Sequence, residues 1–188
     1  MASCQVCESE EPYIHFGEEH LCLNCFNGKM TEELGVEAES YPEEVVLRDG
    51  EGKSHRFRLR KRLDPIGIIM EAEELTAGGY QFTLHGELGA DQGELLLQLI
   101  AKTERGMREK YVKQGRFPKG QPYSTLQNDR LAGRIEWNPS EEGVPLLAVD
   151  GESYRWGEIG RMLMTYEGFT VKIETLDPSE EVIWEEEE

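Results

Sequence analysis

The chain has 188 residues, with 38 acidic against 20 basic side chains, a formal charge of −18 and a sequence pI near 4.6. That length allows one compact domain, or one domain with a small module. No run of about 18 apolar residues is present, so no membrane-spanning helix is expected. Met1-Ala2-Ser3-Cys4-Gln5 lacks the basic start and apolar core of a secretory leader, which points to the cytoplasm.

Charge is unevenly spread. Residues 1–50, 51–100, 101–150 and 151–188 carry −10, −2, +2 and −8. So negative a chain repels nucleic-acid backbone over most approaches.

All four cysteines fall in the first 25 residues, as Cys4-x2-Cys7 and Cys22-x2-Cys25. Each C-x2-C knuckle turns tightly enough to aim two thiolates at one ion, and two knuckles at this separation predict a tetrahedral structural Zn2+ site, one ion per chain. Two disulfides would need an oxidising compartment, and a redox pair would need a thioredoxin-like unit that does not follow. Between the knuckles, Tyr13-Ile14-His15-Phe16-Gly17 and His20-Leu21 read as a hairpin with Gly17-Glu18-Glu19 at its tip. His15 and His20 are bystanders, because four cysteines already complete the ligand set.

Leu23, Phe26, Met30 and Leu34 then mark one helical face, with Asn27-Gly28 inside it and Gly35 as its stop. Knuckle, hairpin, then a second knuckle opening a helix resembles the treble-clef zinc fingers, including the small zinc-binding domain of bacterial AAA+ unfoldases. The resemblance covers residues 4–34 and rests on Cys4, Cys7, Cys22 and Cys25. The helix is what separates it from a two-hairpin zinc ribbon. It implies a small platform used for dimerisation or for docking a partner. Here Glu8, Glu10, Glu11, Glu18 and Glu19 make that platform acidic, which disfavours direct contact with DNA.

After a linker at Ser40-Tyr41-Pro42, four short antiparallel strands are expected. Val45–Leu47 leads through Asp49-Gly50-Glu51-Gly52 to the return strand 55–60. Phe57 and Leu59 share one face, and Arg56, Arg58, Arg60 and Arg62 the other. In the third strand Ile68, Met70 and Ala72 oppose Glu71 and Glu73. After Gly78-Gly79, Tyr80, Phe82, Leu84 and Leu88 alternate with polar residues that include His85, read as surface. The six bases between Lys53 and Arg62 could clasp phosphates, but Glu71 and Glu73 are placed to meet them across strands. Asp91 and Glu94 then open a helix whose apolar stripe reads Leu96, Leu99, Ile100, Thr103, Met107 and Tyr111.

Residues 101–119 hold seven bases and two acids, interleaved with Phe117 and Tyr123 nearby. Lys110, Lys113, Arg116 and Lys119 are the candidates there for contact with an anion or a partner. Residues 114–128, with Gly115, Pro118, Gly120 and Pro122, read as a linker or long loop. Leu131–Trp137 alternates as a strand. Asp150-Gly151 is a strong hairpin signal between Leu146–Val149 and Glu152–Arg155. Trp156, Ile159, Met162, Leu163 and Tyr166 make a short helix ended by Gly168, and Phe169, Val171 and Ile173 a final strand. In the acidic tail, Val182, Ile183 and Trp184 form an apolar plug able to dock on the basic 101–119 region.

The expected fold is α+β, an N-terminal Cys4 zinc finger followed by mostly antiparallel sheets, each covered by one helix. The units are 1–39 (finger), 40–113 (sheet and helix), 114–128 (linker), 129–177 (strand, hairpin, helix, strand) and 178–188 (tail). No phosphate-binding loop, dinucleotide fingerprint, H-E-x-x-H or G-x-S-x-G is present, so no constellation nominates an enzyme. The expected role is a zinc-binding interaction or regulatory protein with a protein partner, the finger also offering a surface for self-association. The competing roles are an acidic nucleic-acid mimic that inhibits a DNA-binding partner, and a nucleic-acid-associated protein or enzyme that uses residues 101–123.

Overall fold

The structure, a computed structural model, describes residues 3–8 and 12–184. Glu10 and Glu11, named above, and the last four residues of the acidic tail lie outside the described residues. The fold is α+β, with antiparallel sheets and, among the described residues, three α-helices.

The N-terminal unit follows the expected order. Cys4 and Cys7 sit on a tight turn closed by the Glu8 amide donating to the Cys4 carbonyl. A hairpin of β1 (Ile14–Phe16) and β2 (Glu19–Leu21) leads to α1 (Leu23–Leu34). Cys22 caps α1, its Sγ accepting from the Cys25 amide at 3.4 Å. Gly35 closes the helix with φ of +66°, its amide bonded to the Thr31 carbonyl.

A four-stranded meander follows, in the order β3 (Glu44–Arg48), β4 (Ser54–Asp64), β5 (Gly67–Glu74) and β6 (Gln81–Gly86). Its dry face carries Phe57, Leu59, Leu63, Ile68, Met70 and Ala72. Helix α2 (Gln92–Arg108) is capped by Asp91, which accepts from the Glu94 amide. The buried stripe of α2 is Gln92, Leu95, Leu99, Lys102, Thr103 and Met107. Leu96 and Ile100 flank it half-buried, and Tyr111 lies past the helix end in a second core.

The finger is not a satellite. Cys4, Leu21, Cys22, Phe26 and Met30 belong to the same apolar core as the sheet and α2. Asn27, a poor helix former on propensity, is what joins them. Strand β3 covers only the first half of the edge of β4, ending with the Leu59 amide on the Glu43 carbonyl. Beyond it the Lys61 amide donates to the Tyr41 hydroxyl. Asn27 then completes the edge: its Nδ2 donates to the Lys61 carbonyl at 2.7 Å and its Oδ1 accepts from the Leu63 amide at 2.9 Å. One buried side chain from α1 thus stands in for a missing strand.

The third unit corrects two expectations. Residues 114–128 are not a structureless linker: β7 (Val112–Arg116) and β8 (Pro122–Leu126) form a hairpin. Gly115 pairs with Tyr123, whose ring occupies the space a Cβ at 115 would need. Gly120, at φ of +84°, makes the turn. The breakers are therefore parts of the hairpin. The three-stranded sheet runs β11 (Glu152–Arg155), β10 (Leu146–Val149), β9 (Arg134–Glu136), and the Asp150-Gly151 turn falls where expected. Helix α3 (Trp156–Leu163) continues as a 3-10 turn to Tyr166 and closes this second core with Ile159 and Met162.

The second correction is at Phe169, Val171 and Ile173, which form no strand. The segment belongs to no helix or strand, and all three side chains are exposed. Alternation assigns faces but needs an edge to pair with, and both ends of this segment are held elsewhere. The Phe169 amide bonds to the Tyr166 carbonyl, and the Ser179 carbonyl is held by Lys102 on α2.

Replacing Asn27 by Ala leaves the Lys61 carbonyl and Leu63 amide buried and unpaired. The expected loss is about 2–3 kcal/mol, measured as a lowered denaturation midpoint at unchanged slope in guanidinium.

Candidate metal centre

The turn at Cys4–Cys7 is fixed to the hairpin by two bonds: the Gln5 amide donates to the His20 carbonyl, and the His20 amide donates to the Gln5 side chain. The second pair is set by the first turn of α1. The four sulfurs consequently converge, all within 4.8 Å of one another. Cys7 Sγ and Cys22 Sγ are 3.8 Å apart. A tetrahedral ion with sulfur arms of about 2.3 Å has edges of about 3.8 Å, whereas a disulfide needs about 2.05 Å. None of the four is joined in a disulfide. The cluster could hold a metal ion.

Its electrostatics are uneven. The amides of Cys7 and Cys22 point at the Cys4 sulfur and hold its thiol down, at about 6. Burial pushes the Cys25 thiol up. Cys4 and Cys22 are fully buried in the main core, while Cys7 faces solvent. His15 and His20 pair across the hairpin with their rings 4.4 Å apart, and neither joins the sulfur cluster.

The arginine row meets its carboxylates. Arg60 and Arg58 lie opposite Glu71 and Glu73, and Arg60 is ion-paired with Glu73. Tyr13 of the finger crosses this wet face, its hydroxyl donating to Glu71 at 3.0 Å while the Arg60 guanidinium lies over its ring. Lys61 faces the other way. It is 1% exposed, donates to the Glu39 carbonyl and to Gln92 Oε1, and sits over the Tyr41 ring. Burial pushes its ammonium down.

The other candidates are scattered. Lys110 is half-buried and donates to the Tyr80 hydroxyl. Lys113 and Arg116 are exposed on β7, and Lys119 on the hairpin turn. The tail lies along α2. Lys102 donates to the carbonyls of Thr83, Ser179 and Glu180 at 2.8, 2.7 and 3.3 Å, and Arg105 pairs with Glu181. Trp184 Nε1 donates to the Tyr111 hydroxyl, and Arg130 lies over the indole. Val182 and Ile183 remain exposed.

One constellation escaped the sequence reading. His55 shares the phase of Phe57 and Leu59 and is therefore buried. Its Nδ1 faces Glu74 at 2.7 Å and its Nε2 faces Asp49 at 3.1 Å. The periodicity was the available signal, since a histidine on the dry face needs partners. Asp49 also accepts from the amides of Glu51 and Lys53. Burial alone would raise its carboxyl; the bonds from His55 and these two amides outweigh burial and hold it below the usual range. Tyr80 packs edge-on against His55, its hydroxyl pushed far up by burial and then by Asp150 and Asp49. An open groove of about 840 Å³ runs here between the meander and the β10–β11 turn, past Lys53, Arg56, Glu74, Asp150 and Glu152. Both imidazole nitrogens already face a carboxylate, so the ring ties the β3–β4 turn to the end of β5. The cluster is a brace.

Three family models, each described as a domain of unknown function, match successive parts of the chain: DUF7685 at residues 3–37, DUF7686 at 39–108 and DUF7713 at 111–180. No curated protein and no solved structure matches the chain. The boundaries of the three matches follow the structure. The first covers the sulfur cluster and α1, the second the meander and α2, and the third the β7–β11 unit with α3.

Replacing His55 by Ala leaves two buried carboxylates without their shared donor, and the expected cost near neutral pH is about 3 kcal/mol. Because Asp49 is held low, its contribution is complete above the unfolded carboxyl value of about 4. It is lost as the pH falls through the lower folded value. The stability gap between wild type and variant, from urea unfolding, is therefore expected to hold above about pH 4 and to narrow as the pH falls below it.

Proposed function

We propose that this chain is a non-catalytic, zinc-stabilised interaction protein of the cytoplasm, carrying one structural Zn2+ on Cys4, Cys7, Cys22 and Cys25 and acting through protein–protein contacts. The observation that carries the reading is the convergence of four cysteine sulfurs at the spacing of a tetrahedral thiolate site. Four thiolates fill the coordination sphere and leave no position for an activated water. Two of the four sit inside the main core, so the ion consolidates the fold. In this reading the finger is of the treble-clef type, with the second knuckle opening α1. Four close thiols with no disulfide among them suit a reducing compartment. The formal charge of −18 and the pairing of Arg60 with Glu73 argue against a nucleic-acid backbone as the partner.

Metal analysis of protein purified under reducing conditions is expected to give one zinc per chain, and Cys22→Ser to give none. Because the finger shares its core with the sheet, chelation should loosen residues 3–108 together. Amide exchange should then speed up in β4 as well as in α1. Reduced, folded protein without zinc would overturn the metal assignment. Fluorescence anisotropy with labelled duplex DNA and single-stranded RNA at physiological salt should detect no saturable binding. Saturable binding removed by charge reversal at Lys113, Arg116 and Lys119 would overturn the protein-contact reading instead.

A further inference from the structure

The third unit contains an open sheet edge and an irregular segment of alternating sequence that match each other. Strand β9 is the outer strand of the sheet β11–β10–β9. Ile135 and Trp137, on and just after it, are 62% and 74% exposed. An open edge with apolar side chains invites another strand. Residues 169–174 read Phe-Thr-Val-Lys-Ile-Glu, with Val171 and Ile173 64% and 74% exposed. Among the described residues, 170–176 make no backbone–backbone hydrogen bond.

The charges select one register. Antiparallel pairing with Ile135 opposite Ile173 sets Trp137 opposite Val171, Arg134 opposite Glu174 and Glu136 opposite Lys172. Slipping by two residues sets Arg134 against Lys172 or Glu136 against Glu174. Parallel pairing with Ile135 beside Ile173 sets both of those like pairs together. Slipping by one residue puts the apolar side chains on the charged face. In the single chain each strand neutralises itself, Arg134 with Glu136 and Lys172 with Glu174. Pairing exchanges these partners, so the charges dictate register while the apolar rows supply the contact.

We propose that residues 170–174 add as an antiparallel strand to the β9 edge of a second copy of this chain. Within one copy the segment is tied at Tyr166 and again at Ser179, where Lys102 holds the tail on α2. A second copy meets it without breaking either tie. Each copy offers this edge and this segment, and a two-fold arrangement of the copies lets the exchange be reciprocal and close at two. The mode is strand addition, and it is independent of the metal site.

The test uses the full chain, its mass in solution and two charge variants. Sedimentation equilibrium up to about 100 µM should give a dimer of the 21.5 kDa chain. Glu136→Lys faces Lys172 of the other copy, and Lys172→Glu faces Glu136. Each alone should raise the dimer Kd at least tenfold. Mixed in equal amounts, the two variants make only opposite-charge pairs at both edges, and the mixture should recover the dimer. Zinc content and far-ultraviolet circular dichroism should match wild type throughout, which separates failure here from failure of the metal reading. A monomeric wild type, a mixture that stays dissociated, or variants that dimerise unchanged through another surface would each overturn the proposal.

Discussion

A single point of convergence supports the first third of the molecule. Among the described residues of the first 35 are two three-residue strands and one helix of about three turns, too little to bury a core alone. Drawing Cys4 and Cys7 against Cys22 and Cys25 fixes where α1 begins and which way it points. Only then do Phe26 and Met30 reach the sheet core, and Asn27 the open half of β4. An eleven-residue strand flanked on one side by a five-residue strand leaves backbone groups over. Those groups are satisfied by Tyr41 and Asn27, so the register of β4 against β5 is braced from the finger side.

The same logic recurs with cations. Lys61 and Lys102 are both nearly buried, and each ammonium is met mainly by carbonyl oxygens. Lys61 takes the Glu39 carbonyl and the Gln92 amide oxygen, which ties the chain leaving the finger to the start of α2. Lys102 takes three carbonyls, two of them from the tail. Carbonyl partners satisfy the donors without burying a second charge, which avoids much of the desolvation cost of an internal ion pair. An acidic chain can therefore pin its linker and its tail from inside the core, leaving the surface carboxylates in water.

What the sequence discloses is set by periodicity. The cysteine spacing, the α1 face, the alternation of β4 to β6, the Asp91 cap and the Asp150-Gly151 turn could all be read because each is a local pattern with one physical solution. The polar residues at buried phase could not. Asn27, His55, Lys61 and Lys102 look like interruptions until their partners are known, and apart from Asp49, six residues from His55, those partners lie between 19 and 78 residues away. The β7–β8 hairpin was hidden for a related reason. Gly115 reads as a breaker, yet its missing side chain is the space that Tyr123 fills across the pair.

Residues 169–173 present the reverse case, in which the pattern is strong and the structure supplies no partner. Alternation of Phe169, Val171 and Ile173 would be wasted on a connector, because exposed β-branched and aromatic residues gain nothing from water. Chains usually blunt such a segment with proline or charge on its apolar face. Here the charges lie on the other face, at Lys172 and Glu174, where they choose a register and leave the apolar row open. The β9 edge has the same division, with Arg134 and Glu136 on one face and Ile135 and Trp137 on the other. Two open elements with matching alternation and opposite charge order are complementary in the way strands of one sheet are. Pairing between copies satisfies both without disturbing either anchor that holds the segment on its own chain.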